Sequence, residues 1–84
     1  MIVLDRKTAL KNITQNVNRI LKSRGWTVAD LVRASREPQN TVYRIFRGEN
    51  IPDAVTLANI ADALDTTTDK LMETPSLEKM QTVA

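Results

Sequence analysis

The sequence has 84 residues and contains neither cysteine nor histidine. Without thiols there can be no disulfide and no cysteine nucleophile. Because both residue types are missing, the chain also lacks the ligands of the usual zinc sites and the commonest general base. We therefore predict a protein that is not an enzyme, with no catalytic residue, no metal site and no cofactor.

Long apolar segments are absent as well. The apolar run at residues 1–4 is far shorter than a membrane-spanning helix or the apolar region of a signal peptide. We expect no membrane partner and a cytoplasmic location at the nucleoid, in a bacterium or a phage-infected cell. With 42% hydrophobic residues and only two glycines, the chain suits one small helical domain with a modest core.

Charge is divided unevenly along the chain. Residues 1–48 hold ten basic and three acidic residues, a net charge of +7, whereas residues 49–84 hold two basic and seven acidic residues, a net charge of −5. This division fits a basic side that faces phosphates and an acidic side that faces away from them. The alternative is a solvated surface on which charges are unevenly spread by chance.

Apolar residues recur at helical spacing early in the chain. They indicate a first helix that ends at Gly25, with a buried face made of Leu10, Ile13, Val17, Ile20 and Leu21. The start of this helix is ambiguous, because Asp5, Thr8 and Asn12 could each cap it. Residues 1–11 are therefore either a basic N-terminal arm or an extension of the helix.

A second, short helix is indicated directly afterwards. Thr27 and Asp30 have the spacing of a capping box, which predicts that the helix begins near residue 27. Its predicted buried face consists of Val28, Leu31, Val32 and Ala34. A helix of about two turns is not stable alone, so this face must pack on neighbouring helices.

A third helix is predicted over about residues 38–46. Pro38 suits a first helical turn and disfavours helical geometry at Glu37, so the break between the helices falls between Ser35 and Glu37. Gly48 fits the left-handed position that closes a helix, and Arg47 lies in the last turn. The apolar stripe of this helix consists of Val42, Ile45 and Phe46.

Two further helices complete the prediction, which is an all-α, compact five-helix bundle. Pro52 or Asp53 begins the fourth helix, whose inward face is Leu57, Ile60, Ala61 and Leu64. Residues 66–68 with Asp69 cap a fifth helix that carries Leu71 and Met72. Residues 12–73 form the predicted domain. Residues 74–84 are a C-terminal tail or a dimerisation segment, with Leu77, Met80 and Val83 as apolar side chains.

The spacing of particular residues over about residues 10–73 resembles the lambda-repressor-like (Cro/repressor, Xre-type) helix-turn-helix family. The resemblance is carried by Arg24-Gly25, Leu31 with Val42 and Ile45, Arg47-Gly48, Pro52, the pattern Leu57-x-x-Ile60-Ala61-x-Ala63-Leu64, and Leu71. It implies that the third helix lies in the major groove of double-stranded DNA, usually as a homodimer on a palindromic operator.

Specific DNA contacts follow from matching positions in this family. Gln39, Asn40 and Arg44 are the predicted base contacts, because amides pair with adenine and arginine pairs with guanine. The predicted backbone contacts are Thr27, Thr41, Tyr43, Lys22, Arg24, Arg36, Arg47 and Asn50. The alternative for the base-contacting group is a set of polar residues that only face solvent, and Tyr43 could equally pack on the domain surface.

Four positions depart from the family pattern or stand apart from it. Val28 replaces a glutamine that often holds a phosphate, so one usual anchor is in doubt. Leu21 and Phe46 occupy positions where some members have an ion pair, which predicts an apolar contact between them. Trp26 is interpreted as a core side chain that covers a helix junction, in preference to a residue that stacks on DNA.

The sequence therefore predicts a sequence-specific DNA-binding transcriptional regulator, most simply a phage-type repressor that occupies an operator. One alternative is an antitoxin that represses its own promoter and binds a toxin. Another is a protein-interaction module with no role on DNA. A toxin or an antirepressor is thus a possible protein partner.

Overall fold

The computed structural model describes residues 5–74, which contain five helices and no strand. They are α1 (Arg6–Arg24), α2 (Val28–Ser35), α3 (Gln39–Phe46), α4 (Ala54–Ala63) and α5 (Thr68–Met72). The predicted all-α fold with five helices is confirmed. Residues 1–4 and the predicted tail from residue 75 onward lie outside the described range. No helix within residues 5–74 is long and apolar enough to cross a membrane.

Four of the five helices begin at a side-chain cap. The cap residues are Asp5, Thr27, Asp53 and Thr67, and each accepts a backbone N–H from the residue three positions later, at 2.7–3.2 Å. Because Asp5 is the cap of α1, the basic residues at positions 6, 7 and 11 are helical, and the alternative of a separate arm does not apply to them. The N–H of Thr56 stabilises the charged carboxylate and holds the pKa of Asp53 below its ordinary value.

The core gathers the apolar faces of all five helices. Its buried residues are Ile13, Val17, Leu21, Leu31, Val42, Ile45, Leu57, Ile60, Ala61, Leu64 and Leu71. Trp26 and Phe46 are half-buried and pack against this core, as the sequence predicts for Trp26. The direct contact between Leu21 and Phe46 stays a prediction.

One predicted core position in α2 is wrong. Ala34 is exposed, and Ser35 is buried in its place with 5% of its surface accessible. The reason is the helical period: Val28, Leu31 and Ser35 follow steps of three and four residues, whereas Ala34 falls outside this stripe. The Ser35 hydroxyl is satisfied in its buried position, because it donates to the Val32 carbonyl at 3.4 Å and accepts the Glu37 N–H at 3.3 Å.

Two buried asparagines of α1 hold the end of α5. The Asn16 side-chain amide, which is 2% exposed, lies 2.7 Å from the Leu71 carbonyl, 2.9 Å from that of Glu73 and 3.3 Å from that of Lys70. The Asn12 amide donates to the Met72 carbonyl at 3.0 Å. The last carbonyls of a helix have no backbone partner inside it, so these amides supply donors at the end of α5, and the bond to the Leu71 carbonyl is itself buried.

Replacement of Asn16 by alanine should lower the free energy of unfolding by about 2 kcal/mol, because it removes the buried donor to the Leu71 carbonyl and the further bonds to the end of α5. Urea denaturation followed by circular dichroism measures this change. Gln15→Ala is the matched control, since Gln15 is exposed on the same helix. Equal stability of the two variants would contradict a structural role for the Asn16 amide.

Candidate nucleic-acid interface

The second helix begins with the capping box that the sequence predicts. The Asp30 N–H donates to the Thr27 hydroxyl oxygen at 3.2 Å, and the Thr27 N–H donates to the Asp30 carboxylate at 2.8 Å. Chiefly because it accepts the Thr27 N–H, the Asp30 carboxylate has a lowered pKa. Asp30 also forms an ion pair with Arg33. Val28 is half-buried against the core, and its side chain has no hydrogen-bond donor for a phosphate.

The turn between α2 and α3 contains a residue in the left-handed region. Arg36 has φ 61°, and its N–H donates to the Val32 carbonyl at 3.1 Å to end α2. This conformation costs a residue with a Cβ roughly 1–2 kcal/mol. Pro38 is the N-cap of α3, with φ −57° and ψ 140°, so the predicted break between Ser35 and Glu37 is confirmed and α3 begins one residue after the proline.

The turn is fastened to α4 by the Glu37 side chain. Its carboxylate accepts the Thr56 hydroxyl at 2.9 Å and the Asn59 side-chain amide at 2.6 Å. Glu37 is not among the predicted site residues, because its partners lie 19 and 22 positions away and polar contacts leave no periodic signal in a sequence. Glu37 is thus a functional candidate that only the fold reveals.

The third helix presents polar side chains on a buried apolar base. Val42 and Ile45 are 1% and 2% exposed and fix the helix to the core. The three predicted base-contacting residues, Gln39, Asn40 and Arg44, are all exposed. Asn40 and Arg44 are one turn apart on the same face of the helix, and Gln39 lies on the neighbouring face with Tyr43. Both Thr41 and Tyr43 are half-buried.

The end of α3 is held from two sides. Gly48 has φ 73°, the left-handed conformation that the sequence predicts, and a Cβ at this position would lie 3.6 Å from the Thr14 hydroxyl. That hydroxyl donates to the Ile45 carbonyl at 2.9 Å, which ties α3 to α1. Arg47, a predicted backbone contact, forms an exposed ion pair with Glu49 at 2.7 Å.

A cleft beside α3 brings together three of the predicted DNA contacts. Thr41 and Arg44 line it from the helix, and Asn50 lines it from the loop before α4. Ile51 and Pro52 form part of the same wall. The cleft is also lined by Asp53 and Thr56, so α3 and the start of α4 present polar groups, one cation and one carboxylate at this surface.

The structure shows contacts of the exposed Arg24 side chain within the domain, and its predicted role as a DNA backbone contact stays a prediction. Its guanidinium donates to the Leu64 carbonyl at 2.7 Å, at the end of α4, and lies over the Trp26 ring at 5.3 Å from the ring centre. Both contacts are within the domain, so Arg24 fastens α1 to α4. Three further residues that are predicted to contact the DNA backbone, Lys22, Arg36 and Thr27, are exposed.

Comparison with known proteins identifies the domain. A family model described as helix-turn-helix matches residues 17–71, from the middle of α1 into α5. The chain belongs to the lambda-repressor-like (Xre) helix-turn-helix family. This is a family of DNA-binding transcriptional regulators. Searches among curated proteins and among solved structures each found no significant match.

Family membership gives the helices their usual names. In a helix-turn-helix protein the second helix of the motif is the recognition helix, which lies in the major groove. In this member α2 and α3 form the motif, and α3 is the recognition helix.

Replacement of Arg36 by glycine should raise the free energy of unfolding by about 0.5 kcal/mol, because relief of the left-handed conformation outweighs the greater freedom of glycine in the unfolded chain. The matched control is Arg33→Gly, which puts glycine inside α2 and should lower stability by about 1 kcal/mol. Urea denaturation measures both. The same sign for both variants would contradict a backbone strain at Arg36.

Proposed function

We propose that this protein is a sequence-specific transcriptional repressor that binds double-stranded DNA and acts by occupying an operator. The observation that carries the proposal is the recognition helix: Gln39, Asn40 and Arg44 are exposed on a helix whose opposite side is anchored by Val42 and Ile45. Occupancy of an operator that overlaps a promoter excludes RNA polymerase, and no further chemistry is required of the protein.

Sequence selection follows from the hydrogen-bonding groups of these side chains. The amides of Gln39 and Asn40 each offer a donor and an acceptor, which suits the N6 and N7 edge of adenine in the major groove. The guanidinium of Arg44 offers two parallel donors, which suits the O6 and N7 edge of guanine. Each such pair discriminates against a wrong base by about 1–3 kcal/mol.

Phosphate contacts supply the remaining affinity in this proposal. Lys22 and Arg36 are exposed cations, and Asn50 with Thr41 lines the cleft beside the recognition helix. The Thr27 hydroxyl accepts an N–H in the capping box, so its own hydrogen is free to be donated to a phosphate oxygen. We leave Arg24 out of this set, because one N–H group of its guanidinium donates to the Leu64 carbonyl and the guanidinium lies over the Trp26 ring, both within the domain.

Arg47 contributes less to the attraction of phosphates than an unpaired cation would, because it forms an ion pair with Glu49. Arg47 is close to the recognition helix, but the Glu49 carboxylate offsets part of its charge. The first turn of α3 adds to the positive potential, because Pro38 provides no side-chain cap and leaves the initial N–H groups without one.

We also propose that the repressor binds a palindromic operator as a homodimer. Ile51 and Val55 are the exposed large hydrophobic residues of the described range, with 38% and 69% of their surfaces accessible. Ile51 lines the same cleft as Arg44, so this residue adjoins the proposed DNA-contacting surface. A second copy that meets this pair would place two recognition helices on one side of the DNA. We favour this surface over the tail that contains Leu77, Met80 and Val83.

Arg44→Ala should reduce binding at one base position, because it removes a single bidentate contact worth about 1–3 kcal/mol. Lys22→Ala should instead weaken binding to all sequences alike. It should also lower the number of ions released on binding, which the salt dependence of the affinity measures, by about one. Selection from random duplexes, followed by fluorescence anisotropy across a range of salt concentrations, measures both effects. An unchanged base preference in the Arg44 variant would rule out its assigned role.

Val55→Glu should make the protein bind an operator as separate monomers, because it puts a charge into the proposed apolar contact between copies. Analytical ultracentrifugation of the protein with the selected duplex counts the bound copies, and titration measures their cooperativity. The more conservative variant Val55→Ala shortens the side chain without adding a charge, so it should weaken cooperativity without abolishing it. Cooperative binding by the glutamate variant would place the dimer contact elsewhere.

A further inference from the structure

We propose that Glu37 is a positioning residue for base recognition, and that Asn59 and Thr56 of α4 act through it. In this inference, which rests on the proposed function, the Glu37 carboxylate sets the direction in which the recognition helix leaves the turn. Neither Glu37 nor Asn59 needs to touch DNA. The contacts that support it are the 2.9 Å bond from Thr56 and the 2.6 Å bond from Asn59.

The two ends of the recognition helix are held by different means. Its middle and C-terminal end are fixed by the buried Val42 and Ile45, and the Thr14 hydroxyl donates to the Ile45 carbonyl. Its first two residues, Gln39 and Asn40, are exposed and make none of these contacts. The helix has no side-chain cap either. The direction of its first turn therefore depends on how the preceding turn is fixed.

Glu37 is the residue that fixes this turn, two positions before the first base-contacting side chain. Its backbone N–H donates to the buried Ser35 hydroxyl at 3.3 Å, and its carboxylate bonds two side chains of α4. The α4 helix is itself anchored by buried Leu57, Ile60 and Ala61. Glu37 thus connects the start of the recognition helix to a rigid part of the core.

The strained residue before Glu37 supports the same conclusion. A non-glycine residue persists in the left-handed region only when its surroundings over-determine the backbone, and such positions cluster at functional sites. Arg36 is in that region, between the end of α2 and Glu37. The bonds of Glu37 to α4 keep the chain in the geometry that Arg36 would otherwise avoid.

The test compares base preference with general affinity for DNA. The wild-type chain is first used to select a duplex from random sequences, and dissociation constants are then measured for that duplex, for single-base variants of it and for an unrelated duplex. The protein variants are Glu37→Ala, Glu37→Gln, Asn59→Ala and the control Asp62→Ala. Asn59 and Asp62 are both exposed on α4, but only Asn59 bonds Glu37.

Glu37→Ala and Asn59→Ala should each lower the preference for the selected duplex about tenfold, as expected when one base contact is misdirected. The loss should fall on the bases read by Gln39 and Asn40, while affinity for the unrelated duplex stays within about twofold or rises. Glu37→Gln should retain the preference, because its amide can accept from Asn59 and donate to the Thr56 hydroxyl. Asp62→Ala should match the wild type.

Each contrary result has a distinct meaning. If the wild-type chain selects a sequence and both alanine variants keep that preference, the inference about Glu37 is wrong and the proposed function stands. If all sequences lose affinity in parallel, or Glu37→Gln fails to rescue the preference, a positioning role is likewise overturned. If the wild-type chain selects no sequence, the proposed function fails and the inference fails with it. Should Glu37→Ala not fold, as judged by circular dichroism, Asn59→Ala decides the question.

Discussion

Burial of Val42 and Ile45 is the interaction on which the recognition surface depends. A helix of eight residues is not stable alone in water, so α3 exists because its apolar side is removed from solvent by the rest of the domain. The same burial forces Gln39, Asn40 and Arg44 outward. The apolar stripe and the polar surface are therefore two consequences of one helical period.

Polar contacts between residues distant in sequence fix the orientation of the helices, which apolar burial alone does not determine. They all join helix ends or turns to another helix: Asn12 and Asn16 to the end of α5, Arg24 to the end of α4, Thr14 to the end of α3, and Glu37 to α4. Apolar contact is non-directional and tolerates small rotations of a short helix. Hydrogen bonds have narrow geometry, so they define where each helix begins or ends relative to its neighbours.

Local patterns made most of the fold predictable from the sequence, and distant polar contacts explain most of what was not. The capping box at Thr27, the break before Pro38 and the left-handed Gly48 each depend on a few adjacent residues, and all are present. The bonds of Asn16 and Glu37 were missed, because their partners lie 19 to 57 positions away. The error at Ala34 has a local cause. A helix as short as α2 contains too few apolar residues to define its buried face to within one position.

The bond from Arg24 to Leu64 affects how mutational surveys of this family member should be interpreted. An exposed arginine in a basic region is the sort of residue that is usually assigned to a phosphate when its loss weakens DNA binding. Here the same loss would loosen α4, which carries Thr56 and Asn59, and would reach the recognition helix through Glu37. The number of ions released on binding would distinguish the two origins, because a residue that acts only through the fold leaves that number unchanged.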